Sequence, residues 1–422
     1  MTKQAATQYN TYTLADGLRI IHMPSESPVV YCGYGIRAGT RDESPGEEGL
    51  AHFCEHTTFK GTQRRNAMQI LNCLESVGGD LNAFTNKEST FYHAAVLKEF
   101  MPRAVSLLTD IVFASTYPQH EIDKEKAVIC DEIECYDDTP AELIYDEFEN
   151  MLFQGHPLGH NVLGNAEHLS KYTSADALRF TRRHYRPGNA IFFAYGDISF
   201  KRLVAMVERC CARQRRAQEE PSARSGGQAV PAMPLEAAPH GRMAVQHRGT
   251  HQAHVMTGRT AYGAHDKRRF PLFILNNILG GSCMNARLNV TLRERHGLVY
   301  TVESAMVNYS DTGLWAAYFG CDHGDVHKCL RLARHEFDRL MQKPLSPAQL
   351  ERAKRQLKGQ IGVAADSREG FALSFAKTFL LYGHGYDITR LCERIDEVTP
   401  AQIQDTAQEI LDPAAMTTLV FE

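Results

Sequence analysis

The sequence predicts an α+β fold: two homologous α/β sandwich domains, each an antiparallel-rich sheet with helices packed on one face, joined by a linker. Three observations carry this expectation. A Pro- and Gly-rich stretch without apolar periodicity divides the 422 residues into halves of roughly 200, each the size of one sizeable domain. Strand-like alternation and helix-like periodicity succeed one another in both halves. Sliding one half along the other by roughly 218 residues brings similar segments together.

The dividing stretch, "CARQRRAQEEPSARSGGQAVPAMPLEAAPHG", runs from Cys211 to Gly241 and contains Pro221, Pro231, Pro234, Pro239, Gly226 and Gly227. Its composition is that of an exposed connection. The predicted boundaries are a first domain over 1–211, a linker over 212–240 and a second domain over 241–422. The internal match puts Leu74 on Leu292, Gly79 on Gly297 and Asn82 on Tyr300, and the following strand needs a few extra residues of loop.

In chain order, "YTLADGLRIIHMP" and "VVYCGYGIRAG" alternate as strands, with Asp16-Gly17 as a hairpin signal. "GEEGLAHFCEHTTFKG" reads as a helix with Glu47 and Glu48 in its first turn and Gly61 after its end. Asn66 to Ser76 reads as a second helix, stopped by Gly78-Gly79. "LNAFTNKESTFYHAAV" gives two antiparallel strands turning at Asn86-Lys87. A long acidic helical segment follows, "EIDKEKAVICDEIECYDDTPAELIYDEFENML", interrupted near Pro140. The second half repeats the style. Strands lie near "AHVMTGRTAY", "GLVYTVESAMV" and "GLWAAYFG", a helix starts at Phe270, and amphipathic helices fill Asp325 to Leu411.

Composition excludes several functions. Apolar residues at 43% and charged residues at 23% are those of a soluble globular protein. A net charge of −4 gives no electrostatic footprint for nucleic acid. Apolar runs such as "IVFA" and "AIFFAY" are far shorter than the roughly 20 residues of a membrane span. The first residues lack the apolar core of a signal peptide, so a cytoplasmic protein is the expectation. The eleven cysteines are scattered and odd in number; with no Cys-x-x-Cys pair, reduced and mostly buried side chains are expected. Cys54 and Cys130 adjoin the candidate metal site in sequence.

That site rests on "HFCEH". Residues four apart on a helix share a face, so His52 and His56 can meet one ion. Neutral imidazole is the commonest protein ligand for zinc. Glu55, between them, is placed to take a proton from water activated by the ion. Cys54 lies about 200° round the helix from His52 and should face away. A catalytic zinc needs a third protein ligand and an open position. The acidic helix offers Asp131, Glu132 and Glu134. Glu132 follows Glu125 by seven residues on the same face, which suits Glu132 as ligand and Glu125 as a hydrogen-bonding support to a ligand histidine. Ligand type favours zinc over manganese or cobalt.

His-x-x-Glu-His is the inverted zinc-peptidase motif. With "GLAHFCEHTTFKGT", "LESVGGDLNAFTNKESTFYHAAV" and "VICDEIECYDDTPAELIYDEFENMLFQGHPLGHNVLG", the chain resembles the pitrilysin/insulinase family of zinc peptidases, in its bacterial processing-peptidase-like branch. The resemblance covers nearly the whole chain, weakest in the linker and the last hundred residues. It implies one zinc ion per chain held by His52, His56 and Glu132, with Glu55 as the base, and it selects Glu132 over its acidic neighbours. An acidic residue seven positions earlier in the family matches Glu125. The family's arginine and tyrosine in the non-zinc domain fall on Arg293 and Tyr300 in "LRERHGLVY", suitable donors for substrate carbonyls or an oxyanion. Phe270, Phe273 and Ile274 stand where the metal helix has His52, Glu55 and His56, so the second domain carries no metal set.

The resemblance further implies a peptide substrate that adds as a strand beside the zinc, with Asn82, Ala83 and Phe84 as contacts. It implies a homodimer enclosing a chamber, in which Arg293 and Tyr300 complete the partner's site. The expected function is that of a zinc-dependent endopeptidase acting on unfolded peptides or presequence-like segments, with no nucleic acid or membrane partner. A catalytically silent family member serving as a peptide-binding or assembly subunit is the alternative, and a half that needs a separate partner protein is a third reading. Retention of both residue sets argues for a self-sufficient homodimer.

Overall fold

The computed structural model describes residues 9–217 and 241–422. Eleven strands are β1 (Asn10–Thr13), β2 (Arg19–Pro24), β3 (Val29–Ile36), β4 (Asp80–Thr85), β5 (Thr90–Leu97), β6 (Ala190–Gly196), β7 (Met243–Gln246), β8 (Ala253–Ala261), β9 (Val299–Asn308), β10 (Gly313–Cys321) and β11 (Thr417–Phe421). The helices of the first half are α1 (Leu50–Thr58), α2 (Ala67–Glu75), α3 (Met101–Ala114), α4 (Gln119–Asp137), α5 (Pro140–Leu152), α6 (Ala166–Lys171), α7 (Ser174–His184) and α8 (Phe200–Ala217). Those of the second are α9 (Arg269–Gly280), α10 (Val326–Gln342), α11 (Pro347–Ala364), α12 (Arg368–Tyr382), α13 (Ile388–Asp396) and α14 (Pro400–Ile410).

The strands form two sheets on one plan. The first has the order β1-β2-β6-β3-β5-β4 and the second β7-β11-β8-β10-β9. Apart from β1 the two orders correspond strand for strand. In each, the pair β2–β6 or β7–β11 is parallel and the remaining pairs are antiparallel. The duplication read from Leu74 and Leu292 is therefore a duplication of topology. β4 and β9, which follow the matched glycines Gly79 and Gly297, are both edge strands.

Local chemistry explains most boundaries. Asn66 caps α2, its side chain accepting from Gln69 N while Gln69 returns the bond. Asn86 Oδ1 accepts from the amides of Glu88 and Ser89 and closes the β4–β5 turn. Pro140 occupies the first turn of α5, where its missing N–H is not needed.

Two expectations change. The residues pack as two compact units, and neither is a continuous half of the chain. One unit runs to Glu134, resumes at His160 and includes Ala364–Asp387; the other includes Cys135–Gly159, the second-half residues to Val363, and Ile388–Glu422. Each sheet thus receives a helix from the opposite half of the sequence, and helices cover both faces instead of one. In the first unit, Leu107, Leu108 and Phe53 lie on one sheet face. On the other face Phe375, Ala376 and Phe379 of α12 pack on Ile21, Phe91 and Phe193. In the second unit Leu272 and Leu275 of α9 lie on one face, with Phe337 of α10. Ile144, Phe148 and Leu152 of α5 pack on Met256, Leu419 and Phe421 on the other. Each fully buried side chain of this size contributes about 1.5–3 kcal/mol, so the exchanged helices are integral to the units they join.

The linker expectation over 212–240 also changes at its start, because α8 continues to Ala217; residues 218–240 lie outside the described residues. All eleven cysteines are free; five are buried, five partly buried, and Cys135 is exposed. Among the described residues no helix is long and apolar enough to cross a membrane.

Candidate metal centre

The centre is built on α1, in the first unit. Its deep side is locked in place. Phe53 packs on Tyr172 with ring centres 5.5 Å apart, and the Cys54 thiol donates to Ala177 O, away from the histidines as expected. Thr58 Oγ1 lies 3.2 Å from the Tyr92 hydroxyl and 3.1 Å from that of Tyr117. The helix begins at Leu50, later than its sequence suggested, and Glu47 and Glu48 precede it. Glu47 pairs instead with Arg183 at 2.7 Å. The carboxylate that serves the helix start is Glu43, which accepts from Gly49 N at 2.9 Å and Ala51 N at 2.7 Å. Its Oε2 also lies 2.9 Å from His160 Nε2. Gly49 enters the helix at φ 89° with Gly164 backed against it, where a Cβ would lie 2.7 Å from the Gly164 Cα. Only glycine adopts that conformation in that space without strain.

His52 and His56 emerge on one face with ring centres 4.6 Å apart. α4 brings the third donor. Its inward stripe runs Ile122, Glu125 and Ile129, all buried, and Glu132 continues it at helical spacing. Glu132 Oε1 lies 3.8 Å from His52 Nε2, and its Oε2 lies 3.3 Å from His56 Nε2. Asp131 and Glu134, open alternatives from the residues alone, are exposed. Glu125 Oε1 lies 3.1 Å from His56 Nδ1, and its other oxygen lies 2.6 Å from Lys60 Nζ.

These donors fit a divalent cation. One donor atom each from His52, His56 and Glu132 lies within 4.8 Å of the others. Two atoms that share a tetrahedral ion at about 2.0–2.1 Å stand roughly 3.4 Å apart, so a small adjustment closes the set. Burial, and then the nearby His56, pull the His52 pKa down to about 3, which keeps its imidazole neutral as a ligand must be. Its Nδ1 is buried without a hydrogen-bond partner among the described residues. Burial also opposes the charged form of His56, but the Glu125 hydrogen bond and the Glu132 and Glu55 carboxylates outweigh it and raise its pKa. Carboxylates of Glu132 and Glu125 lie against these imidazoles, and nitrogen and carboxylate oxygen donors together are the ligand types that zinc takes.

Glu55 is 8% exposed, and burial, the largest effect, raises its pKa despite a hydrogen bond with the Thr85 side chain. Thr85 ends β4, the edge strand packed beside α1. Pairing of Asn82 with His93, Ala83 with Tyr92 and Phe84 with Phe91 shows how the strand divides its side chains. Ala83 and Thr85 share the α1 face, whereas Asn82 and Phe84 turn to the opposite one, Phe84 stacking on Phe91 at 5.2 Å. The Asn82 side chain accepts from Ala83 N at 2.8 Å. Asn82, Ala83 and Phe84 therefore lie on one free edge but not on one face.

Arg293 and Tyr300 belong to the second unit and lie together there, the guanidinium carbon 5.4 Å from the ring centre. Tyr300 is 80% exposed, unusual for so large a ring. Arg293 sits on a π-helix, Asn289–Arg295, which the sequence pattern did not announce. Glu43, Lys60, His160 and Thr85 were also not anticipated. Only Lys60 carried a signal, standing four residues beyond His56 in the segment that reads as helix, although α1 ends at Thr58.

A duplicated α/β plan, with two imidazoles and a remote carboxylate gathered on one unit, defines a two-sheet chain with one candidate metal centre among the described residues. The comparisons narrow this. Residues 20–166 match the family model described as Insulinase (Peptidase family M16), and residues 171–357 match that described as Peptidase M16 inactive domain. An uncharacterized zinc protease of Streptomyces coelicolor is 32% identical, the alignment covering 94% of this chain and 86% of the relative. One of Bacillus subtilis is 29% identical over 94% and 95%. A protease from Helicobacter pylori has the same fold, with a TM-score of 0.90 at 20% identity over 99% of this chain and all of that one. The chain belongs to the insulinase family of peptidases.

Proposed function

We propose that this protein is a zinc-dependent endopeptidase that cleaves unfolded peptides or presequence-like segments, one zinc ion being held by His52, His56 and Glu132. The observation that carries this reading is the convergence of both Nε2 atoms on one carboxylate, 3.8 and 3.3 Å away, with a buried glutamate beside them. When bound there, zinc would act as a Lewis acid toward the scissile carbonyl and acidify water. Glu55 takes the proton from the attacking water on its carboxylate and passes it to the leaving amine. Its burial favours that proton uptake. Glu125 holds His56 through Nδ1, which leaves Nε2 on the Glu132 side, where it would serve as a ligand. The free edge of β4 binds the peptide through main-chain hydrogen bonds, which accounts for tolerance of sequence. Ala83 and Thr85 then face the reacting bond, and Asn82 and Phe84 touch the strand's other side. The Asn82 side chain must release Ala83 N–H as substrate pairs.

Arg293 and Tyr300 act as donors to substrate carbonyls and to the developing oxyanion. In this reading the protein is a cytoplasmic homodimer and each Arg293–Tyr300 pair serves the partner's zinc. Mixing Glu55→Gln with Arg293→Ala tests that directly. Exchanged dimers are expected to regain up to about a quarter of wild-type activity, since one site in the mixed species is intact. Exchange verified by mass with no regained activity would sink the shared site.

The first experiment is elemental analysis with a quenched-peptide assay, with and without chelator. About one zinc per chain and chelator-sensitive cleavage are expected; cleavage by metal-free protein would overturn the proposal. Glu125 gives a graded test. Glu125→Ala leaves Lys60 uncompensated near His56, so zinc affinity should fall about 10–100-fold while the fold persists. Chelator competition measures the change, and unaltered affinity would remove Glu125 from the centre.

A further inference from the structure

The segment that carries Arg293 is wound differently from its counterpart in the first unit. Where Ala67–Glu75 is an α-helix, Asn289–Arg295 is a π-helix of seven residues. Such helices are rare, and they are frequent at functional sites. The contacts that hold this one can be named. Glu336, on α10, is 3% exposed. Its Oε1 accepts from the Thr291 hydroxyl at 3.1 Å and from the Arg339 guanidinium at 3.1 Å. Its Oε2 lies 3.8 Å from the Arg287 guanidinium. Thr291 is two residues before Arg293, and Arg287 opens the same helical stretch. At the far end the His296 ring, through Nδ1, bonds to Thr291 O at 2.7 Å. Leu292 and Val299, the residues before Arg293 and Tyr300, are buried in one apolar cluster with Phe319. Arg293 makes no ion pair among the described residues, so its donors are free to meet a ligand.

We propose that Glu336 is a positioning residue for Arg293: by clamping Thr291 and Arg287 it holds the π-helical turn that presents the guanidinium beside Tyr300. An ionised carboxylate is costly to bury unless it is paired and hydrogen-bonded. Glu336 meets that condition through side chains on the π-helical stretch and one on its own helix. Losing it would let the stretch relax toward ordinary α-helical winding and carry Arg293 round the axis. Displacement of a transition-state donor by about 1 Å costs on the order of 100-fold in rate. The inference rests on the reading of Arg293 as a donor to the reacting carbonyl.

The test uses the zinc-loaded full chain and a quenched peptide, with Glu336→Ala, Glu336→Gln, Thr291→Val, Arg293→Ala and the doubles on Arg293→Ala. Glu336→Ala and Thr291→Val should each lower kcat by about 10- to 100-fold with little change in KM. Glu336→Gln should recover most of the loss, because its amide oxygen still accepts from Thr291. On the Arg293→Ala background neither change should cost more, since residues that act as a unit are not additive. Equal losses on both backgrounds, or full kcat in Glu336→Ala, would overturn the positioning role. Full activity of Arg293→Ala would instead remove the donor reading, and this inference with it. If Glu336→Ala does not fold, Thr291→Val on the two backgrounds decides the matter.

Discussion

Replacing Glu55 by glutamine is expected to lower peptide hydrolysis about 1,000-fold while zinc remains bound at the wild-type level. The magnitude follows from the role: a positioned general base contributes roughly 10²–10⁴. The substitution is nearly isosteric, and an amide can still hydrogen-bond the Thr85 hydroxyl, so the packing of α1 against β4 should survive. What it removes is the ability to accept a proton, in a pocket where burial already favours the protonated side chain. The loss should appear in kcat, because the interaction exists only as the proton moves. Single-turnover rates with elemental analysis on the same sample measure both quantities. Wild-type turnover would show that another group serves as base; loss of zinc would show that Glu55 holds the ion.

Removing the remote ligand should have the second large effect. Glu132→Ala is expected to weaken zinc binding by at least about 100-fold and to lower hydrolysis with it. Zinc bound by four ligands contributes about 10–16 kcal/mol, so one ligand accounts for roughly 3 kcal/mol. His52 and His56 would remain paired on one turn and retain weak affinity. Asp131→Ala and Glu134→Ala are the controls, since both side chains are exposed beside Glu132 in sequence and should leave affinity unchanged. Chelator competition on the three variants separates the cases. Wild-type affinity in Glu132→Ala, or a loss shared by either control, would refute the ligand assignment.

The candidate site was legible where its geometry is local. His52, Glu55 and His56 lie on one helical turn, and 3.6-residue geometry by itself puts both imidazoles on one face. Glu132 was reachable because seven residues from Glu125 return to the same face of α4, although the residues alone left Asp131 and Glu134 open. The start of α1 was misjudged for a physical reason. Acidic residues are favoured near helix N-termini, and Glu47 and Glu48 satisfied that pattern. The carboxylate that performs the task is Glu43, folded back across a loop to Gly49 and Ala51. Loop geometry of this kind has no periodicity to read. The same holds for the π-helix under Arg293, whose Thr291 hydroxyl bonds to Glu336 more than forty residues away.

By itself the sequence determined the elements, their duplication and the polar side chains able to meet an ion, because periodicity, caps and turns act over a few residues. Only the tertiary structure decided which sheet each helix covers. α5 and α12 carry apolar stripes that any sheet could bury, and nothing local distinguishes one sheet from the other. Each closes the sheet of the opposite half, where Phe148 shares an apolar cluster with Phe421 and Phe375 shares one with Phe193. The tertiary structure also decided which side chains of β4 face α1, since the strand's pairing with β5 sets that alternation. Burial is a property of partners far apart in the chain, and a helix's own residues state only that a partner is needed.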